Sequence, residues 1–269
     1  MTTLLDAFLE QAERAYRNKN WKSACQFYDS FFTRAYPEEN PDMTLEHINI
    51  LVRYATALFE KVQADSANSS NKKYDQSELE TIVSYMITAQ KKYETAEPGT
   101  FPFERLLDTY DILGQVALIN NQFKRAAQVF RKGYEKANEN PETPWRIKLS
   151  LLFYEAIALE SQEIPKKAID VVNEGLALIA QQEEKTTSQE ELDLMKSFKD
   201  DLNTKLTQLQ EDAKEQEENK DILTTEEEDE NEGEGEEEEE EEEEADEPNE
   251  NESNVDKAKK DVTPIQPPE

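Results

Sequence analysis

Apolar residues recur every three or four positions through most of the first 210 residues, and no run of strand-like alternation interrupts them. In residues 4–17, Leu5, Phe8, Leu9, Ala12, Ala15 and Tyr16 fall on one side of a helix, and Ala24, Phe27, Tyr28, Phe31 and Phe32 do the same in 21–35. Asn18, Lys19 and Asn20 make the turn between them, and Pro37 and Pro41 stop the second helix. Neither helix is long enough to hold alone, so the two are expected to pair as a hairpin that needs neighbours. Further helices are predicted at 45–63, 77–94, 103–120, 123–139, 145–162 and 165–181, with a last one from Ser188 to about Glu217. Pro165 suits a first helical turn, where a backbone N–H has no partner to lose. Ser188 followed by Glu191 forms a capping box ahead of Leu192, Leu194, Met195 and Phe198.

The hairpin pattern repeats at fixed offsets. Ala12 precedes Trp21, Ala24 and Tyr28 by 9, 12 and 16 positions; Gly114 precedes Phe123, Ala126, Phe130 and Gly133 by 9, 12, 16 and 19; Ala156 precedes Ala168, Val172 and Gly175 by 12, 16 and 19. Small residues at these offsets let paired helices approach closely while the larger ones fill the groove between hairpins, which is the pattern of tetratricopeptide repeats. The units are long for that class: Gly114 to Ala156 is 42 residues and Ala12 to Ala55 is 43. In the second unit Tyr54, Ala55, Leu58 and Phe59 lie on the first helix and Ile82, Val83, Tyr85, Met86, Ala89 and Tyr93 on the second. A Ser-, Asn- and Lys-rich loop at 65–76 interrupts that unit. The expected fold is therefore all-α, a tetratricopeptide-repeat-like helical solenoid over residues 1–210, closed by a C-terminal capping helix at 188–217.

Charge separates the rest of the chain from this domain. Of 62 acidic and 30 basic side chains in 269 residues, 29 acidic and 5 basic lie from Glu211 onward, leaving 33 and 25 in the first 210. Residues 218–269, with the unbroken glutamates from Glu236 to Glu244, are expected to be a disordered acidic tail, since they can bury nothing and repel one another. A formal net charge of -32 disfavours direct nucleic-acid binding, which needs Lys and Arg to displace counterions from phosphates. The longest apolar stretches fall far short of a membrane span, and the N-terminus has no secretory pattern. One cysteine, Cys25, and one histidine, His47, leave no material for an intramolecular disulfide, a zinc cluster or a nucleophile–histidine pair. His47 stands at a helix start and is expected to serve as a surface or cap residue. No catalytic residue, metal site or cofactor is expected, and no glycine-rich phosphate loop is present.

What remains is binding. With Ala12, Ala55, Gly114 and Ala156 turned into their hairpins, helical geometry sends a defined set of side chains from the first helix of each unit toward a common groove. The partner-binding candidates are Asp6, Leu9, Glu13 and Tyr16 in unit one, Phe59 and Glu60 in unit two, Asp108, Asp111 and Gln115 in unit three, and Phe153 and Glu160 in unit four. The same register adds Asn49, Val52, Thr56, Leu118, Ile119, Ser150 and Ile157. Such a face, acidic with apolar patches, suits a basic amphipathic helix or tail. The Lys and Asn of a clamp for acidic C-termini are missing: those places hold Leu9 and Glu13, Arg53 and Thr56, Asp108 and Ile112.

Three features together resemble the nuclear autoantigenic sperm protein family of histone chaperones, whose domain is an interrupted form of the tetratricopeptide repeat. They are the interrupted second unit; the stretch Leu107-Asp108-Thr109-Tyr110-Asp111-Ile112-Leu113-Gly114-Gln115-Val116 with Asn121-Gln122-Phe123-Lys124-Arg125-Ala126-Ala127-Gln128-Val129-Phe130 after it; and Phe153-Tyr154-Glu155-Ala156 with Ala168-Ile169. The resemblance covers about residues 4–210. It implies a nuclear protein, found also in the cytoplasm, that escorts core histones of the tetramer-forming pair, with linker histone a further candidate cargo. It also implies transfer to a histone acetyltransferase complex or other assembly factors, without nucleotide or direct DNA contact; a homodimer stays open. Family members carry their large acidic insertion inside the second repeat, whereas here residues 65–76 hold Lys72 and Lys73 and only two acids, and the polyglutamate lies at the C-terminus. A scaffold for another basic protein shares the acidic groove and stays open, as does a purely structural role with a solubility tail. Lys257, Lys259 and Lys260, between Asp256 and Asp261, form a weak candidate import signal.

Overall fold

The computed structural model describes residues 3–37, 42–68, 73–97 and 99–231, the last twelve as backbone only. The chain divides into two units, Met1–Ile222 and Leu223–Glu269. Nine helices run through the described residues: α1 Leu4–Arg17, α2 Trp21–Ala35, α3 Leu45–Asn68, α4 Gln76–Thr95, α5 Phe103–Ile119, α6 Phe123–Glu139, α7 Trp145–Glu160, α8 Pro165–Glu183 and α9 Gln189–Asn231. No strand occurs among these residues.

Helices pack with their chain neighbours: α1 on α2, α3 on α4, α5 on α6 and α7 on α8 form four hairpins, and α2, α4 and α6 each also pack on the helix that follows. The first helices touch across hairpins as well, α3 with α5 and α5 with α7. The result is a stack of hairpins in two layers, an all-α helical-repeat architecture. One core cluster joins α1 to α5 through Tyr28, Leu51, Phe59, Ile82 and Tyr93; a second joins α5 to α9 through Phe130, Leu152, Ile179, Met195 and Leu202.

The close approaches predicted from the small residues are present. A Cβ built on Gly114 would lie 2.5 Å from the Phe130 ring, and one on Gly133 2.8 Å from Tyr110 Cβ. Only glycine admits these contacts, which bring α5 against α6 and seat α6 between its neighbours. Ala12, Ala24, Ala55, Ala126 and Ala168 are fully buried.

The hairpin turns repeat as faithfully as the helices. Lys19, Asn121 and Glu163 are the non-glycine residues with positive φ, at 54°, 56° and 60°. Each stands seven positions after Ala12, Gly114 or Ala156. After each, the next N–H reaches back five residues: Asn20 to Ala15, Gln122 to Ala117 and Ile164 to Leu159. These are Schellman caps, which satisfy the last carbonyls of the first helix and turn the chain straight into the second. In the second hairpin the seventh position after Ala55 is Val62, which is still inside α3.

Two boundaries differ by more than two residues from those read in the sequence. The loop expected at 65–76 begins later, since α3 continues to Asn68: Ser66 is buried, Lys61 pairs with Asp65 one turn on at 3.6 Å, and Asn68 Nδ2 donates to Ala64 O at 2.8 Å. Residues 69–72 lie outside the described residues, and Asp75 caps α4 by accepting from the N–H groups of Ser77 and Glu78, so Gln76 is already helical. At the other end α9 runs past Glu217 to Asn231, into the segment assigned above to the acidic tail, because glutamates are good helix formers. Packing stops where the apolar spacing does: Leu209 is the last buried residue among the described side chains. The polyglutamate run from Glu236 to Glu244 and the lysines from Lys257 to Lys260 lie outside the described residues. No helix among the described residues is long and apolar enough to cross a membrane.

Candidate functional site

All four first helices contribute to one cavity of about 360 Å³. Tyr16 comes from α1; Thr56, Phe59, Glu60 and Gln63 from α3; Arg105, Asp108, Asp111, Ile112 and Gln115 from α5; and Tyr154 from α7. They converge because the small residues on the opposite side of each helix, Ala12, Ala55, Gly114 and Ala156, are turned into the hairpins, leaving this face toward the inner layer.

Asp111 is the most unusual group in the wall. Its Oδ2 accepts from Gln115 Nε2 at 3.0 Å, while its Oδ1 is buried with no hydrogen-bond partner. Burial pushes its carboxyl up to about 6, against the Gln115 bond, and the neighbouring Asp108 adds to the rise. Asp108 is raised too, by burial first, although Arg105 Nη1 binds its Oδ2 at 2.8 Å. Glu60 makes no hydrogen bond or ion pair among the described residues. The cavity thus holds one neutralised pair, Arg105–Asp108, and two carboxyl groups, Asp111 and Glu60, without a cation.

Six of the eleven candidates read from the sequence meet here: Tyr16, Phe59, Glu60, Asp108, Asp111 and Gln115. The other five have different occupations. Asp6 closes a capping box with Thr3, accepting from its N–H at 2.8 Å. Leu9 packs on the core. Glu13 accepts from Tyr28 Oη at 2.9 Å and pairs with Arg53 at 2.7 Å, so its charge is already met. Phe153 is one of the few exposed large apolar residues and lines a separate groove of about 570 Å³ with Phe198 and Leu202 of α9. Glu160 is held by Lys205 of α9 at 2.5 Å. Arg105, Gln63 and Tyr154 were not among the sequence candidates. The signal for Arg105 was available, since Arg105 and Asp108 are three apart on one helix face.

The single cysteine and histidine are structural. Cys25 is buried, and burial pushes its thiol up to about 12, so it stays protonated and unreactive. His47 Nδ1 hydrogen-bonds Tyr36 Oη, and its ring meets Phe31 edge-on at 5.4 Å, tying the end of α2 to the start of α3. Among the described residues no group of three or more His, Cys, Asp or Glu side chains is arranged to hold a metal ion. Compared with known protein families the chain matches none, and no curated protein matches it.

Asp111 makes the stability of the fold depend on pH in a defined direction. Its folded pKa lies above the unfolded value of about 3.9, so folding favours the protonated form; that stability is present below about pH 4 and is lost as pH rises through about 6. Asp111→Asn is therefore expected to raise stability at pH 7 by about 1–2 kcal/mol, with the gain vanishing near pH 4. Urea unfolding of both forms across that range measures it.

Proposed function

We propose that this chain is a histone chaperone built on tetratricopeptide-like repeats, of the kind that the nuclear autoantigenic sperm protein family represents, and that its inner layer of helices holds a basic segment of a core histone from the tetramer-forming pair. One observation carries the reading: Asp111 and Glu60 line one cavity whose arginine, Arg105, is already bound to Asp108, and Asp111 Oδ1 is buried without a hydrogen-bond partner. A buried carboxylate without a partner costs free energy, which a Lys or Arg from another protein recovers. The repeat reading is supported by the recurrent caps seven residues after Ala12, Gly114 and Ala156.

The mechanism is charge masking with selection. Histones bind DNA nonspecifically through many Lys and Arg contacts, and the glutamate-rich C-terminal sequence competes for those charges. The cavity and the apolar residues around it choose among basic partners, because a cation must enter a shaped site to be paired. Release needs no chemical step, only a DNA site or an assembly factor that offers a lower free energy. Such work belongs in the nucleus and requires neither metal nor nucleotide.

Mixing core histones with the full chain before adding DNA is expected to keep the histones soluble at low salt. A chain lacking residues 219–269 should still form the histone complex but protect less well, and the difference should shrink as salt rises and screens the charges. Turbidity and soluble complex, measured in parallel, test this. Equal protection by both chains at low salt would remove the masking role of the C-terminal sequence. Absence of a histone complex with either chain would reject the histone reading and favour another basic partner.

A further inference from the structure

A second cavity, of about 670 Å³, opens between the end of α6, the turn at 140–144, the start of α7 and the end of α8. Its charge is opposite to that of the inner layer. Lys148 and Lys185 both line it, and among the described residues neither makes an ion pair. Burial and the charge of Lys185 both lower the pKa of Lys148, and no acidic group offsets them. The carboxylate in the wall, Glu174, is bound to Arg131 at 2.9 Å. Glu191, which Trp145 Nε1 reaches at 3.3 Å, is half-buried and accepts from Thr186 Oγ1 at 2.7 Å.

Two features in the same wall await an acceptor. Thr143 is 7% exposed, and its Oγ1 is buried with no hydrogen-bond partner. α7 starts directly after it: Pro144 gives no side-chain cap, and no acidic residue lies in the first turn, so the positive end of the helix dipole has no counter-charge from its own first turn. A hydroxyl, two ammonium groups and an uncapped helix start are the donor set that an oxyanion needs. The cavity has the size of a site for a small organic molecule or a modified side chain, larger than a bare ion requires.

We propose that this cavity binds a phosphate monoester, its oxygens held between Lys148 and Lys185 and accepting a hydrogen bond from Thr143 Oγ1. The monoester is a dianion near neutral pH and matches two ammonium charges, whereas a carboxylate would leave one unmatched. The monoester comes either from a phosphorylated side chain of a protein partner or from a small phosphorylated metabolite, and the chemistry of recognition is the same. The site is independent of the basic partner proposed for the inner layer.

The test uses the full chain and four probes at constant ionic strength: N-acetyl-phosphoserine amide, a neutral peptide carrying one phosphoserine, inorganic phosphate and acetate. Titration followed by Trp145 fluorescence and by calorimetry is expected to give saturable binding of each phosphate, at least about tenfold tighter than acetate. Lys148→Met and Lys185→Met should each weaken it at least about fivefold, and Thr143→Val about threefold, while Lys22→Met on α2 changes nothing. Unchanged thermal midpoints show that these variants remain folded. A phosphopeptide that binds more tightly than the amide assigns the site to a protein partner; equal affinities assign it to a metabolite. Acetate binding as tight as phosphate, no saturation by any phosphate below about 10 mM, or affinities that folded lysine variants leave unchanged would overturn the proposal.

Discussion

Replacing Arg131 with methionine is expected to destabilise the fold by about 3–5 kcal/mol at pH 7. Arg131 of α6 donates through Nε to Glu155 of α7 at 2.9 Å and through Nη1 to Glu174 of α8 at 2.9 Å, and its guanidinium lies 5.4 Å from the Tyr134 ring centroid. One side chain thus ties three helices of two hairpins. Glu155 is 5% exposed, and its second oxygen, Oε2, has no partner at all. Burial raises its pKa, and Arg131 is the main group that opposes the rise. Methionine keeps the packing of the stem but leaves a buried carboxylate without a cation, so Glu155 must take up a proton to remain inside.

The sign follows from that proton. With the folded pKa raised further above the unfolded value, the loss caused by Arg131→Met should be smallest near pH 4 and grow as pH rises. Adding Glu155→Gln to the same chain removes the unpaired charge and should recover a large part of the stability, which a merely additive effect would not do. Urea unfolding at pH 5 and pH 7 of the wild type, the single variant and the double variant measures all three terms. A loss below about 1 kcal/mol at pH 7 would mean that the pair contributes no more than an exposed one.

The helices were legible because their signals are local. The bounds of α1, α2 and α6 coincide with those read from apolar spacing and the turn residues around them. The end of α3 was not legible, because Asp65, Ser66 and Asn68 favour turns in isolation, and the burial of Ser66, the Lys61–Asp65 pair and the Asn68–Ala64 bond hold them in the helix. The same limit applies to the site. Helical register places Tyr16, Phe59, Glu60, Asp108, Asp111 and Gln115 on one face, and the structure unites them in one cavity. Register does not reveal which acids are already paired: Glu13 is met by Arg53 of α3 and Glu160 by Lys205, 45 positions downstream on α9. Asp6 is a different case. Thr3 and Asp6 form a visible capping box, and that local role accounts for its carboxylate.

Stability and the proposed binding pull in opposite directions at the inner cavity. Asp111 is held in a place where its charge is disfavoured, which a protein optimised for stability alone would not keep. A side chain that weakens the free fold while it is unpaired, and is needed only when a cation arrives, is a mark of a site that works through a partner. Arg105 sharpens the choice by neutralising Asp108, so that Glu60 and Asp111 carry the free charge of the cavity.

The affinity of the full chain for the tetramer-forming histone pair, titrated at about 0.3 M salt where exposed charges are largely screened, tests the account most directly. Glu60→Gln with Asp111→Asn is expected to weaken binding at least about thirtyfold, as removal of two charge-assisted contacts should, while the unfolding midpoint stays level or rises. An affinity equal to that of the wild type, in a variant of unchanged helical content, would contradict it.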